Sequence, residues 1–559
     1  MAIFDLNDYE TLIKKAEELF DQEKIDEAFI FLNRAYEKEK SERALILYAK
    51  MYYEIGAFDY AVQKCRELKL MGGGGLDVRY ETAVLLFKIY FFEGNIALAD
   101  ACFEELKSIE ERDDFEYKDS YDFDGIDAFL DYYKNEFNAF NVIDKKEEDI
   151  KGLLNVAVAY VSAEKYSDAV KLLKEDLERN ASAAQHNMLV LCYINLHKYK
   201  LAEGISMKML KNKDMRLYGI LNLINLGIFK RDLNMKYRYI AELKKTDITD
   251  EDDLDKVVGV MTMANCHEET EFYVRKLLEL RPYDLESMFL LACALYNQKK
   301  RAEAKAVYKQ IYEIYGDAGR AQFFLRYCDS GMEVYYNAPL PLEYFGVLSN
   351  LFESVSNAED IGDLLSSAEN RELVYLALRI EELREEVFNC LMGFLKKSAF
   401  VTEIFKRFFK DISASEKFKE YAAFCIMRNN TEFDFEYITH DCCAVFHFNG
   451  ATAFGKGLFN DIYCRLLARL LSGKPEELKN AKNYADYIAL LDDALNGNDE
   501  ETKEKLKVFA YEKCAAGAAA VYFKVNYLQL KYITEAARFF SLSDARVRKA
   551  VKVITTIFE

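Results

Sequence analysis

Apolar residues recur at helical spacing on both sides of Gly56, with polar residues between them. In chain order the recurring residues are Leu45, Ala49, Tyr52, Phe58, Ala61, Cys65 and Leu68. This pattern predicts two short amphipathic helices that are joined by a turn at the glycine. Because neither helix can bury its apolar face alone, the pair predicts further copies of itself along the chain.

Copies of the helix pair are present, and each carries a small residue in its second helix, which we call the anchor. The six anchors are Ala28, Ala61, Ala99, Ala169, Ala202 and Ala304. They lie 33, 38, 70, 33 and 102 residues apart. The two long intervals are close to two and three units of about 34 residues. Nine residues before the anchors stand larger side chains, namely Leu19, Tyr52, Tyr90, Tyr160, Tyr193 and Leu295.

This pattern resembles the tetratricopeptide repeat (TPR), and the resemblance covers about the first 320 residues. It implies an all-α fold in which antiparallel helix pairs stack into a right-handed superhelix, with the first helices on the concave side. The chain departs from the family pattern at Phe87 and Val190, where a small residue is usual, and at Arg301, where an aromatic residue is usual.

The resemblance also implies which residues line a concave groove for a partner. Carried over from the family, the lining is Ile13, Glu17, Phe20, Ile46, Lys50, Tyr53, Val84, Lys88, Phe91, Leu154, Val158, Val161, Asn187, Leu191, Ile194, Phe289, Cys293 and Tyr296. A lining that is mainly apolar, with scattered lysines, suits an amphipathic helix or an extended peptide. The alternative is that many of these side chains pack on neighbouring helices.

Two closely spaced prolines, Pro339 and Pro341, indicate a boundary between two domains. We expect a TPR-like α-solenoid over residues 1–335 and an irregular all-helical domain over residues 336–559. Within the second domain Phe433, Phe435 and Tyr437 alternate with acidic residues. The stretch 432–448 therefore predicts a small β-hairpin.

Composition narrows the functional classes. The chain has 559 residues and a net charge of −20, which disfavours nonspecific binding to nucleic acid or to an anionic membrane. Its twelve cysteines lack paired spacing, as expected for reduced thiols. The beginning of the chain does not resemble a secretory signal, and the longest small-apolar run is too short to span a bilayer. We therefore expect a cytoplasmic protein that does not bind membranes.

Three stretches approximate ligand-binding motifs, and each departs from its motif. Gly450–Gly457 (GATAFGKG) lacks the Ser or Thr with which a phosphate-binding loop holds magnesium. Ser120–Asp131 (SYDFDGIDAFLD) has serine at the first ligand position of a calcium loop. A third group, which lacks a second ligand pair at zinc spacing, consists of His440, Cys442, Cys443 and His447. We expect no cofactor, no metal and, without a nucleophile–base–acid arrangement, no enzymatic activity.

The C-terminal stretch 534–551 resembles a helix-turn-helix, with a turn near Ser541 and basic residues at Arg546, Arg548 and Lys549. Two packed terminal helices give the same pattern. Two hypotheses follow. The first is an interaction scaffold that binds a peptide or helix of another protein in its groove. The second is a regulator that couples the solenoid to DNA through these basic residues, which the net charge disfavours.

Overall fold

The computed structural model describes residues 8–112, 157–316, 320–349, 358–429, 433–448, 458–496 and 514–558, apart from short gaps at 73, 159, 162–164, 178–181, 331, 333, 335, 337–339, 342, 347, 528 and 530–531. It confirms the all-α fold, with one two-stranded sheet among these residues. The chain divides into two compact units. The first comprises Met1–Lys118 together with Leu342–Glu559, and the second comprises Asp119–Pro341. The domain boundary at residues 335–336 stays a prediction.

The N-terminal part of the first unit consists of three antiparallel helix pairs. In chain order its helices are α1 (Tyr9–Asp21), α2 (Ile25–Lys38), α3 (Glu42–Glu54), α4 (Phe58–Leu70), α5 (Leu76–Phe92) and α6 (Ile96–Glu110). In each pair the first helix ends at a tight turn and the second packs back along it, as the repeated pattern predicts.

The second unit, taken by itself, also consists of helix pairs of this kind. Its helices are α7 (Tyr166–Leu177), α8 (Ala183–Asn195), α9 (Tyr199–Lys211), α10 (Arg216–Phe229), α11 (Leu233–Leu243), α12 (Glu251–Met263), α13 (His267–Leu280), α14 (Leu285–Asn297), α15 (Arg301–Tyr315) and α16 (Arg320–Tyr327). A 3₁₀ turn, Lys213–Met215, separates α9 from α10. The helix α16 follows the last pair and packs on α15.

The C-terminal part of the first unit is helical around a small hairpin. Its elements are α17 (Ala358–Ser366), α18 (Ala368–Arg379), α19 (Arg384–Met392), α20 (Ala399–Lys410), α21 (Glu416–Arg428), β1 (Phe433–Ile438), β2 (Cys443–Phe448), α22 (Leu458–Gly473), α23 (Ala481–Asn496), α24 (Cys514–Asn526), α25 (Ile533–Phe539) and α26 (Asp544–Phe558). The strands pair antiparallel in the register Phe433↔Phe448 to Ile438↔Cys443, so the predicted hairpin is confirmed. Phe409 of α20 stacks on Phe435 with 4.3 Å between ring centroids.

All six alanine anchors are fully buried. Two further buried residues, Lys236 and Thr270, continue the series from Ala202 to Ala304 in steps of 34 residues, where the sequence pattern fades. The buried position of Lys236 is compatible with its charge because its Nζ donates to the carbonyl oxygen of Ala264 at 3.0 Å. The hydroxyl of Thr270 donates to the carbonyl oxygen of Cys266, one turn earlier. Both polar groups therefore have a hydrogen-bond acceptor, that of Lys236 in the next pair and that of Thr270 in its own helix, and the helix pairs retain the repeat geometry.

The turns within the pairs share one backbone conformation. A residue with positive φ stands five positions before the anchor position, at Glu23, Gly56, Gly94, His197, Arg231, Asn265 and Lys299. The next residue donates its N–H to the carbonyl five positions earlier, as Ala57 does to Tyr52 at 2.8 Å. This bond is the Schellman arrangement that ends a helix, and only glycine adopts the required φ without strain.

This geometry predicts that Arg231→Gly stabilises the protein. Removing the left-handed penalty gains about 1–2 kcal/mol, and the added freedom of glycine in the unfolded chain costs about 0.5–1 kcal/mol. We expect a net gain of roughly 0.5–1 kcal/mol in thermal unfolding. The matched control is Arg238→Gly within α11, which should lose about 1 kcal/mol. Equal losses in both variants would contradict the shared turn geometry.

Candidate functional site

The predicted groove residues of the first unit fall into three environments. Ile13 and Ile46 are buried, which agrees with the alternative that they pack on neighbouring helices. Glu17 and Lys50 form ion pairs between successive first helices, with Arg43 at 2.7 Å and Glu81 at 2.8 Å respectively. The remaining predicted residues are half-buried or exposed and are Phe20, Tyr53, Val84, Lys88 and Phe91.

Aromatic side chains cluster where α3 and α5 end. Phe92 is 76% exposed and contacts the ring of Phe58, with 5.2 Å between centroids. Tyr53 adjoins Phe58 at 5.8 Å, and the Nζ of Lys88 lies 5.9 Å from the centre of the Tyr53 ring. The first unit therefore presents an aromatic surface beside predicted groove positions, although the sequence did not single out Phe92.

In the second unit the predicted groove residues are also divided. Val158 and Leu191 are exposed, whereas Asn187 accepts a hydrogen bond from Asn222 of the next pair at 2.7 Å. Val161 is half-buried, and the buried members are Ile194, Phe289, Cys293 and Tyr296. Leu154 lies outside the described residues. The whole groove set stays a prediction as a binding site.

A second row of side chains in this unit stands seven residues before the anchor position, at the end of each first helix. Its members are Asn195, Phe229, Met263 and Asn297. Phe229 and Met263 are large apolar side chains, yet nearly half of each is exposed. Equivalent positions in stacked pairs lie side by side, so this row, which we call the end row, forms one strip. In the first unit Phe92 holds the same repeat position.

One member of the end row binds the backbone of a later segment. The return segment is residues 332–336, of which Met332, Val334 and Tyr336 are described. Asn297 donates from Nδ2 to the Val334 carbonyl oxygen at 2.7 Å, and its Oδ1 accepts the Val334 N–H at 3.1 Å. The Cys293 thiol donates to the same carbonyl. Cys293, a predicted groove position of α14, is therefore covered by the chain's own backbone.

The return segment also contacts the preceding helix pair. The Tyr336 hydroxyl lies 2.7 Å from Nδ1 of His267, the first residue of α13, and the two rings are 5.5 Å apart. The segment thus passes from the pair anchored by Ala304 to the pair anchored at Thr270. The sequence did not predict this contact. Asn195, at the equivalent position in another pair, donates instead to the carbonyl oxygen of Leu191 in its own helix.

In the first unit the tip of the hairpin contacts α4 and α5. Arg66 is buried, and its Nη2 donates to the carbonyl oxygens of Asp441 at 2.6 Å and His440 at 3.3 Å. The Tyr90 hydroxyl also donates to the His440 carbonyl, at 2.6 Å. Tyr90 stands nine residues before the Ala99 anchor, so a repeated position of the helix pair also binds the hairpin.

The imidazole of His440 is surrounded by carboxylates. Its Nδ1 lies 3.5 Å from Asp441, and its Nε2 lies 3.3 Å from Glu93 and 3.9 Å from Asp59. The hydrogen bond to Asp441 raises the pKa of His440, the charges of Glu93 and Asp59 raise it further, and burial opposes them. The same bond lowers the pKa of Asp441.

These shifts predict that the hairpin contact weakens with rising pH. A histidine whose folded pKa is raised contributes fully below its unfolded pKa of about 6.5, and the contribution is lost as pH rises through the folded pKa. We expect the difference in melting temperature between the native protein and His440→Gln to be largest between about pH 4 and 6.5, where the carboxylates are ionised and the imidazole is protonated, and to shrink above about pH 6.5. A pH-independent difference for His440→Gln would contradict the assignment.

The C-terminal helices bury their apolar side and expose their basic side. Phe540, Val547, Val551 and Ile554 are buried in one cluster with α24, and Phe539 is half-buried against it. The basic residues Arg546, Arg548 and Lys549 are exposed. Ser541 has φ 54°, and the Leu542 N–H donates to the Ala537 carbonyl at 2.8 Å, as in the turns of the repeats.

The other candidate motifs add no ligand site to the described chain. Gly450–Gly457 and Ser120–Asp131 lie outside the described residues. In the described part, His, Cys, Asp and Glu form no group of three or more that could hold a metal ion. Burial raises the pKa of Cys442 to about 11, so its thiol stays protonated near neutral pH. Among the described helices, none combines the length and hydropathy needed to cross a membrane.

Comparison with known proteins gives similarities to solved structures, of which two are described here. No protein-family model and no curated protein matches the chain. The TPR domain of P58(IPK) is 12% identical, over 70% of this chain and 99% of that chain, with a TM-score of 0.19. Yeast Tom70 is 12% identical, over 98% of this chain and 95% of that chain, with a TM-score of 0.23. The repeat architecture therefore rests on the helix pairs, turns and anchors of this chain.

Proposed function

We propose that this protein is a non-enzymatic interaction scaffold, located in the cytoplasm, that binds a peptide or helix of another protein along the ends of its first helices. The observation that carries the proposal is the exposure of large apolar side chains at one repeat position. Phe229 and Met263 hold this position in successive pairs of the second unit. Exposed apolar strips on a solenoid are typical of binding surfaces.

The surrounding charges support a protein ligand. The groove positions combine apolar side chains with Lys50, which already pairs with Glu81, and with Lys88, which lies beside the ring of Tyr53. A site of this kind gains affinity from apolar burial and backbone hydrogen bonds more than from charge. The acidic net charge of −20 disfavours a polyanion as the general ligand.

The scaffold proposal predicts that polar substitutions in the end row remove partners. We expect Phe229→Ser/Met263→Ser to lose, in affinity capture from native lysate with quantitative mass spectrometry, proteins that the native chain retains. The matched control, Leu233→Ser/Phe272→Ser, changes apolar residues on second helices that are somewhat more exposed than Phe229 and Met263. Surface changes of this kind cost about 0.5 kcal/mol or less, so both variants should fold. Identical partner sets for all three proteins would contradict the proposal.

The regulator hypothesis stays as the second candidate because Arg546, Arg548 and Lys549 are exposed on α26. The turn before α26 favours a terminal helix pair instead, since it repeats the bond pattern of the scaffold turns and places Phe540 in the core. A basic helix pair would also have to overcome the field of an acidic protein.

We predict no sequence-specific DNA binding by the full-length protein. A mobility-shift selection on random duplexes at near-physiological salt should enrich no motif. The control is the Arg546→Ala/Arg548→Ala variant, which should behave like the native protein in this selection. Enrichment of one motif by the native chain and its loss in the variant would establish the regulator hypothesis, because binding through phosphates and base edges depends on such side chains.

A further inference from the structure

We propose that the return segment is an internal occupant of the peptide-binding strip of the second unit, and that an extended segment of a partner protein displaces it. This inference deepens the proposed function by naming the class of ligand and how access is regulated. The juxtaposition that carries it is the paired hydrogen bonding of Asn297 with the backbone of Val334.

The contact with Asn297 has the chemistry of peptide recognition. One side-chain amide donates to the carbonyl and accepts the N–H of a single residue, so it reads an extended backbone and not a side chain. The Cys293 thiol adds a third bond to the same residue. Any extended chain with a free N–H at this position can make the same set of bonds, and proline there cannot.

The side chains of Val334 and Tyr336 define the rest of the ligand. Val334 is buried, so the position accepts an aliphatic side chain. Two residues later the Tyr336 hydroxyl reaches His267, which selects an aromatic residue with a hydrogen-bonding group. The displacing ligand is therefore an extended peptide in which an aliphatic residue is followed, two positions on, by tyrosine.

The strip continues past the return segment. From Val334 to Tyr336 the segment runs toward the pair anchored at Thr270, whose end-row residue is Met263, and the next pair presents Phe229. Both side chains are nearly half exposed. A partner with further apolar residues after the tyrosine can cover them. The additional contacts with Met263 and Phe229 let a longer ligand displace the shorter return segment.

The test is competition with the full-length protein. The probe is a fluorescein-labelled synthetic peptide with the sequence of residues 329–340, and binding is followed by fluorescence anisotropy. Val334→Pro in the protein removes the N–H that Asn297 accepts and leaves the strip itself unchanged. We expect the peptide to bind Val334→Pro at least about tenfold more tightly than the native protein, since an occupied site lowers apparent affinity by the fraction that is free.

Three further variants make the result specific. Asn297→Ala, added to Val334→Pro, should remove the gain. Asn234→Ala, which changes an exposed asparagine of α11 outside the end row, should leave it intact. Tyr336→Ala releases the other end of the segment without proline and should also increase peptide binding, which guards against a folding defect in Val334→Pro.

Equal affinity for the native protein and both release variants would overturn the inference, as would a gain that survives Asn297→Ala. The scaffold proposal is tested separately, because partner capture depends on Phe229 and Met263. Partner loss in the end-row variant, without a peptide gain in the release variants, would therefore overturn only the displacement.

Discussion

The close contact between the two helices of each pair is the constraint on which the rest of the structure depends. A small anchor brings the second helix against the first, and a left-handed residue five positions earlier reverses the chain in little space. In the pair of α10 and α11 the backbones come especially close, because a Cβ at Gly227 would lie 2.8 Å from the backbone nitrogen of Lys236. Side chains at the helix ends are consequently held at fixed repeat positions, which is what a binding strip requires.

Both units use side chains of the helix pairs to hold the backbone of a later segment. In the first unit Arg66 and Tyr90 donate to carbonyls at the hairpin tip, and in the second unit Asn297 pairs with Val334. Because the tip of a hairpin and an extended segment leave backbone groups unpaired, such side chains satisfy groups that would otherwise face a cost on burial. These two long-range connections are therefore made by polar side chains that bind backbone groups.

The sequence predicts what is periodic and local. The anchors, the paired helices and the hairpin follow from spacing and alternation, and each appears in the structure. Lys236 and Thr270 were not recognisable as anchors, since their fit depends on bonds to nearby carbonyls. The burial of Ile13 and Ile46 depends on neighbouring helices, which the family pattern does not specify. The contact of Asn297 could not be predicted, because it joins residues 37 apart through a segment without periodicity.

The magnitudes explain how a covered strip can still serve a partner. If the return segment occupies its site nine-tenths of the time, a competitor loses about 1.4 kcal/mol of apparent affinity. Burying one large apolar side chain contributes about 1.5–3 kcal/mol, and the exposed halves of Met263 and Phe229 together offer an amount in this range. A ligand that repeats the backbone contacts of Val334 and also covers these two side chains therefore displaces the segment, whereas a ligand that only matches the segment does not. The internal occupant thus selects for ligand length, and the net charge of −20 selects against polyanions.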